Sequence, residues 1–182
     1  MKSKKNTFVS RAAVGCVTTA IFLLLCIIKG IYPFGIATLD TVDFQSQWIP
    51  AYYHVWDVLH GDGSAFFDWR VGGGNNFAGV SAQFSLFSPF NLFFLFVKRS
   101  WIEKSMIVFI IIKLLAMGYG MRWFLKEQIL KEERYGIYIL AGSVGYAVNG
   151  YTLLYYGMGW LDVAAILPLL CYFCLLYTSP SP

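Results

Sequence analysis

The chain has 182 residues, 58% of them hydrophobic and 13% charged, with a net charge of +4 and a mean hydropathy of +0.59. Soluble domains are about 45–50% apolar and about 25% charged, so this composition excludes a water-soluble globular chain and indicates an all-α polytopic membrane protein. The 14 Lys and Arg gather at the ends of apolar runs as topology signals and form no stripe that would grip nucleic acid.

Lys2, Lys4, Lys5 and Arg11 precede an apolar run from Ala12 to Ile36. The run is too long for a signal-peptide core and ends without a small-x-small cleavage site. Residues 1–36 therefore read as a cytoplasmic N-terminus and an uncleaved first membrane helix, with Lys29 snorkelling near its outer end. Directly after it, TLDTVDFQSQWIP places Asp40, Asp43 and Gln47 where a span leaves the bilayer. Asp40 and Asp43 share a face if the helix continues. Simple solvation is the plainer reading of two carboxylates at a membrane surface. Their position beside an aromatic-rich segment favours a site that receives something from the lipid phase.

Phe44, Trp48, Val55 and Leu59 then recur as the stripe of an amphipathic helix, with Asp43, Gln47 and His54 on another face and Pro50 kinking or restarting it. His54, His60, Asp57 and Asp62 lack the spacing of a metal site. GGGNN (Gly72–Asn76) lacks the ending of a P-loop and the context of a dinucleotide fingerprint, so it reads as a turn. The segment Phe84–Val97 is apolar but short and carries Pro89, which favours an interfacial or re-entrant element over a span. Leaving it out of the span count puts eight Lys and Arg inside against four outside, and including it gives seven against five. The positive-inside rule thus agrees with length. Residues 37–104 are expected to form one large external loop.

Residues 105–176 hold three further candidate spans, Ser105–Phe124, Tyr135–Tyr156 and Val163–Leu176. Lys113 lies inside the first of them, as either a functional cation or a structural partner to an acid. Asp162 returns an acid to the outer side. Cys171 and Cys174 have CxxC spacing but no second ligand pair, so they read as buried cysteines. The last residues, 174–182, CLLYTSPSP, resemble the translation of a sequencing-library adapter. They are read as an artefact on a truncated chain, which is expected to be inactive by itself.

The segment from Asp43 to Phe96 resembles the first external loop of the bacterial YfhO family. The shared features are Asp43, Gln47 and Pro50, the Gly61 turn, Phe67-Asp68-Trp69, Gly72–Gly74 with Asn76, and Ser88-Pro89-Phe90-Asn91. YAVNGY (Tyr146–Tyr151) and Leu161-Asp162 before Leu167-Pro168 extend it. The resemblance implies the N-terminal portion of a GT-C-like helical bundle in the bacterial cytoplasmic membrane. It also implies transfer of a sugar from a polyprenyl-phosphate donor to an envelope polymer such as lipoteichoic acid. Asp43 is then the catalytic acid or base and Asp40 the second choice. Lys113, Asp162 and Gln47 are donor, phosphate or structural partners. A cofactor is not specified, and a divalent metal between carboxylates stays open. The alternatives are a transporter or lipid-carrier permease component, and an assembly subunit without chemistry.

Overall fold

The computed structural model describes residues 2–39, 43–80, 87–130 and 135–178. Asp40 and residues 84–86 of the short apolar segment lie outside them. The chain is mostly helical, with four helices among the described residues long and apolar enough to cross a membrane: Arg11–Ile28, Arg99–Ile129, Gly136–Leu154 and Leu161–Thr178. Helix α1 (Lys2–Ile28) ends eight residues before the expected Ile36. The reason is local: Gly30 adopts φ 61°, its N–H returns to Ile27 O at 3.0 Å, and Pro33 follows. The first span therefore does not run on as a helix toward the acids.

A π-helical turn, Phe44–Trp48, leads into α2 (Ile49–Leu59), with Pro50 in the first turn, where its missing N–H costs nothing. Then come β1 (Phe67–Asp68) and β2 (Asn75–Asn76), an antiparallel pair, followed by α3 (Phe77–Val80). Pro89–Phe96 forms a 3₁₀ helix whose start is capped by Ser88, its Oγ accepting from Phe90 N at 3.2 Å. Eight residues at about 2.0 Å rise reach about 16 Å, well short of the ~30 Å hydrocarbon layer. After another 3₁₀ turn, Arg99–Trp101, come α4 (Ile102–Phe124), α5 (Gly136–Ala147), α6 (Gly150–Leu154) and α7 (Leu161–Thr178). Asn149 separates α5 from α6, its Oδ1 accepting from Thr152 N at 3.0 Å.

The fold divides into two units. The first comprises residues 1–26, 111–153 and 163–182. Its helices meet at small residues. A Cβ on Gly118 would lie 3.2 Å from Val14 and 3.6 Å from Ala147, and one on Gly15 would meet the Tyr119 hydroxyl. Backbones that approach this closely need glycine, the usual packing device where lipid removes the hydrophobic drive between helices.

The second unit comprises residues 27–110 and 154–162. Its core is aromatic. Phe44, Trp48 and Val55 are buried as the stripe requires, while Leu59 is only half-buried. The Tyr52 ring lies 5.3 Å from both Phe94 and Phe109, and Trp48 meets Trp160 edge-on at 6.0 Å. Burying each such phenylalanine contributes about 1.5–3 kcal/mol. Trp56 Nε1 donates to Val97 O at 2.7 Å and fixes the end of the 3₁₀ segment against α2.

Candidate functional site

The β1–β2 loop turns on three consecutive glycines, Gly72, Gly73 and Gly74, all with positive φ. Only glycine adopts such a run without strain. At the loop's start, Asp68 Oδ1 accepts from Arg70 N at 2.8 Å, and the Asp68 carboxylate takes Arg70 Nε and Nη2 at 3.0 and 2.7 Å. This aims the rest of the guanidinium at α2. Arg70 Nη1 donates to Asp57 Oδ2 at 3.1 Å, and Nη2 also donates to Asp62 O at 3.1 Å.

Asp57 is buried on α2 and held from a second side. Arg99 donates through Nε to Oδ1 at 2.8 Å and through Nη2 to Oδ2 at 3.3 Å, with its guanidinium 5.0 Å over the Tyr53 ring. Hydrogen bonds from Arg99, with the charges of both arginines and His54, hold the Asp57 carboxyl below the usual carboxylate range. Hydrogen bonds from Arg70 do the same, more strongly, for Asp68. His54 Nε2 lies 3.1 Å from Ser64 O. A carbonyl only accepts, so in the neutral ring the proton is on Nε2 and Nδ1 faces Asp68, 3.9 Å away.

Of these groups His54, Asp57, Arg70 and Arg99 line a cavity of about 690 Å³, together with Gln45, Gln47, Tyr53 and Glu103. Of the five N–H groups on a guanidinium, Asp57 takes two from Arg99, so three remain to face a ligand. Arg70 keeps one. Both side chains stay half exposed. Glu103 is the carboxylate of the lining that no arginine holds. Its Oε1 accepts from Tyr53 OH at 3.3 Å, and burial together with the Glu103 charge raises the Tyr53 phenol's pKa.

A second cavity, about 350 Å³, is mainly apolar, walled by Ile31, Ile36, Leu39, Phe44 and Ile107 among others. It shares Gln45, Ile49 and Glu103 with the first. A polar chamber thus adjoins an apolar one across a boundary that carries one carboxylate.

The residues singled out by sequence are distributed unevenly. Gln47 lines the polar cavity. Asp43 stands exposed at the start of the π-helical turn, its backbone oxygen accepting from Gln47 N at 2.9 Å, and its side chain is not part of the lining. Asp40 lies outside the described residues. Asp162 is buried in the first turn of α7, where its charge, after burial itself, raises the Tyr52 phenol's pKa. Lys113 is buried within α4 and lines neither cavity. Among the described residues no three His, Cys, Asp or Glu side chains gather as a metal site. Asp57 and Asp68 are already held by arginines.

Sequence reading missed Arg70 and Arg99, which it treated only as topology charges, and Glu103. Their partners lie up to 50 positions away, so no local spacing marks them.

No curated protein and no solved structure matches the chain. The family model described as bacterial membrane protein YfhO matches residues 15–173, most of the 182-residue chain. That match spans both units and every residue lining the two cavities, and the chain belongs to the YfhO family of bacterial membrane proteins.

Proposed function

We propose that the chain serves a glycosyltransferase of the bacterial cytoplasmic membrane. The enzyme moves a sugar from a polyprenyl-phosphate donor to an envelope polymer such as lipoteichoic acid on the outer face. The observation that carries this reading is the polar cavity adjoining an apolar one. A lipid-linked sugar needs both environments at once. The polar groups sit between the first two apolar helices or at the very start of the second, Arg99–Ile129. A permease would set its polar groups at mid-membrane in broken helices, so their placement supports transfer over translocation.

In the reaction the acceptor hydroxyl oxygen attacks the anomeric carbon. The bond from that carbon to the phosphate oxygen breaks, its electron pair leaves with the lipid phosphate, and the hydroxyl proton passes to a carboxylate base. Asp43 is our first assignment for the base and Asp40 the second. Gln47, one turn beyond Asp43, and Arg99 present donors toward sugar and acceptor oxygens. Asp162 is a structural partner near Tyr52. The departing phosphate needs a nearby cation, and Lys113, buried within α4, is in the lining of neither cavity, which argues against it in that role.

The test is a transfer assay with a prenyl-phosphate sugar, in membranes expressing the longest reading frame that contains this chain. Asp43→Asn keeps the shape and removes the basicity, and should abolish transfer while leaving insertion intact. Wild-type turnover in that variant would refute the base assignment and bring Glu103→Gln forward. Movement of the prenyl phosphate across the membrane without transfer would favour the permease.

A further inference from the structure

We infer that the apolar cavity holds the chain of a long-chain lipid phosphate, and that Lys104 is the cation that binds its phosphate. This rests on the transferase reading and names the donor's lipid subsite within it. The cavity's volume, about 350 Å³, lies in the range of ligand pockets and suits the first part of a long apolar chain. Its lining contains one cation, Lys104, from the first turn of α4. The Lys104 ammonium lies 5.4 Å from the Trp101 ring centroid and 6.0 Å from that of Tyr32. Two aromatic faces hold it in place without neutralising it. Among the described residues it forms no ion pair, and none of them takes its three N–H groups, which can serve an anion.

The neighbouring charges set an order. Arg70 and Arg99 are tied to Asp57, whereas Lys104 has no carboxylate within ion-pair distance among the described residues and stands beside apolar walls. Glu103 adjoins Lys104 in sequence but belongs to both cavities, and it would repel a phosphate while accepting hydrogen bonds from hydroxyls. An amphiphile therefore lies with its chain among Ile31, Leu39 and Ile107 and its phosphate on Lys104. Its hydroxyl-rich head points past Glu103 and Gln45 into the polar cavity. A neutral lipid leaves Lys104 unused.

The experiment measures binding of farnesyl phosphate, farnesol and phosphatidylglycerol to the 182-residue chain in nanodiscs of neutral lipid. Lys104→Gln should weaken farnesyl phosphate about tenfold or more, the scale of one lost charge contact. Lys104→Arg should hold it near wild type, and farnesol should bind equally to all three. Ala37→Trp, which fills the apolar cavity, should weaken both prenyl ligands. Unchanged farnesyl phosphate binding in Lys104→Gln, or no binding by the wild type, overturns the proposal. So does phosphatidylglycerol binding as tightly with the same dependence on Lys104, which would make the site a bulk-lipid contact. Lys104-dependent binding, with no sugar transfer in membranes expressing the longest reading frame that contains the chain, overturns the transferase reading and leaves the site standing. Sugar transfer with Lys104-independent binding does the reverse.

Discussion

Asp57 and Arg99 stand 42 positions apart in the chain and meet through two hydrogen bonds, Nε to Oδ1 at 2.8 Å and Nη2 to Oδ2 at 3.3 Å. The same carboxylate takes Arg70 Nη1 at 3.1 Å. One buried acid on α2 thereby fixes the β1–β2 loop and the approach to α4 around a single cavity. Pairing in this geometry also keeps the arginines from being free charges, since Asp57 and Asp68 balance them. The cavity is suited to hydroxyl-rich ligands held by directed hydrogen bonds.

Asp57→Asn should loosen this segment without unfolding the aromatic core. The variant leaves charged donors without a matched acceptor, a loss of about 1–3 kcal/mol. The lower end applies, because both guanidiniums keep half their surface in solvent and screening weakens the pair. Limited proteolysis between Gly61 and Gly74 should accelerate in the variant, and added salt should narrow the difference. Equal cleavage rates would show that the carboxylate does not organise the loop.

The same ion pairs predict an acid limit. The carboxyl pKa values of Asp57 and Asp68 are lowered in the fold by hydrogen bonds from Arg99 and Arg70 respectively. A lowered folded pKa means that the unfolded state binds more protons in the interval between the two values, so stability rises with pH there. The contribution is complete above the unfolded value, about 3.9, and is lost as pH falls through the folded one. Cleavage between Gly61 and Gly74 should be flat from about pH 7 to 5 on this account and should rise below about pH 4. Asp57→Asn should make the acid limb shallower and leave the part that Asp68 carries. An equally steep limb in the variant would assign the acid loss to other groups.

Gly157 is fixed by packing. A Cβ there would run into the Phe44 ring, and Tyr52 OH donates to Gly157 O at 3.3 Å. Gly157→Ala should therefore destabilise by about 1–3 kcal/mol through overpacking. Tyr52→Phe should cost only about 1 kcal/mol, the net worth of one hydrogen bond. Thermal unfolding in detergent should rank wild type, Tyr52→Phe and Gly157→Ala in that order. A neutral Gly157→Ala would mean that Phe44 has room to move.

The spans were legible because length and apolarity alone define them, and the stripe of Phe44, Trp48 and Val55 showed its face by helical period. The Gly72–Gly74 turn was equally open to reading, since a run of glycines beside polar residues has few other uses. What stayed hidden was set by tertiary contact. Arg70 and Arg99 have no periodic relation to Asp57, and Glu103 is distinguished only by the two cavities that it borders. His60, weighed with His54 as a metal ligand, instead stacks on Trp56 at 3.8 Å, while His54 turns to Ser64 O and Asp68. The early end of α1 followed from the backbone of Gly30, a local feature that an apolar run does not display.

Orientation is the last prediction. The 3₁₀ helix Pro89–Phe96 is too short to cross, so residues 43–104 should lie on one side of the membrane, opposite the N-terminus. Asp62 and Ser100 are exposed and flank that helix in sequence, which makes them suitable reporters. The native Cys16, Cys26, Cys171 and Cys174 are all free thiols and must first be replaced. In that background, Asp62→Cys and Ser100→Cys should both react with a membrane-impermeant maleimide added to intact cells, and a cysteine placed at Lys4 should not. The positive charges at Lys2, Lys4, Lys5 and Arg11 should hold the first end inside, so that lysis is needed to label it. Labelling at Asp62 but not Ser100 would mean that the segment between them crosses. In that case Arg99 and Glu103 would face away from the β1–β2 loop, and a cavity lined by Arg70, Arg99 and Glu103 together could not exist in the membrane. Labelling at Lys4 from outside would invert the whole chain and place both cavities in the cytoplasm, against transfer on the outer face.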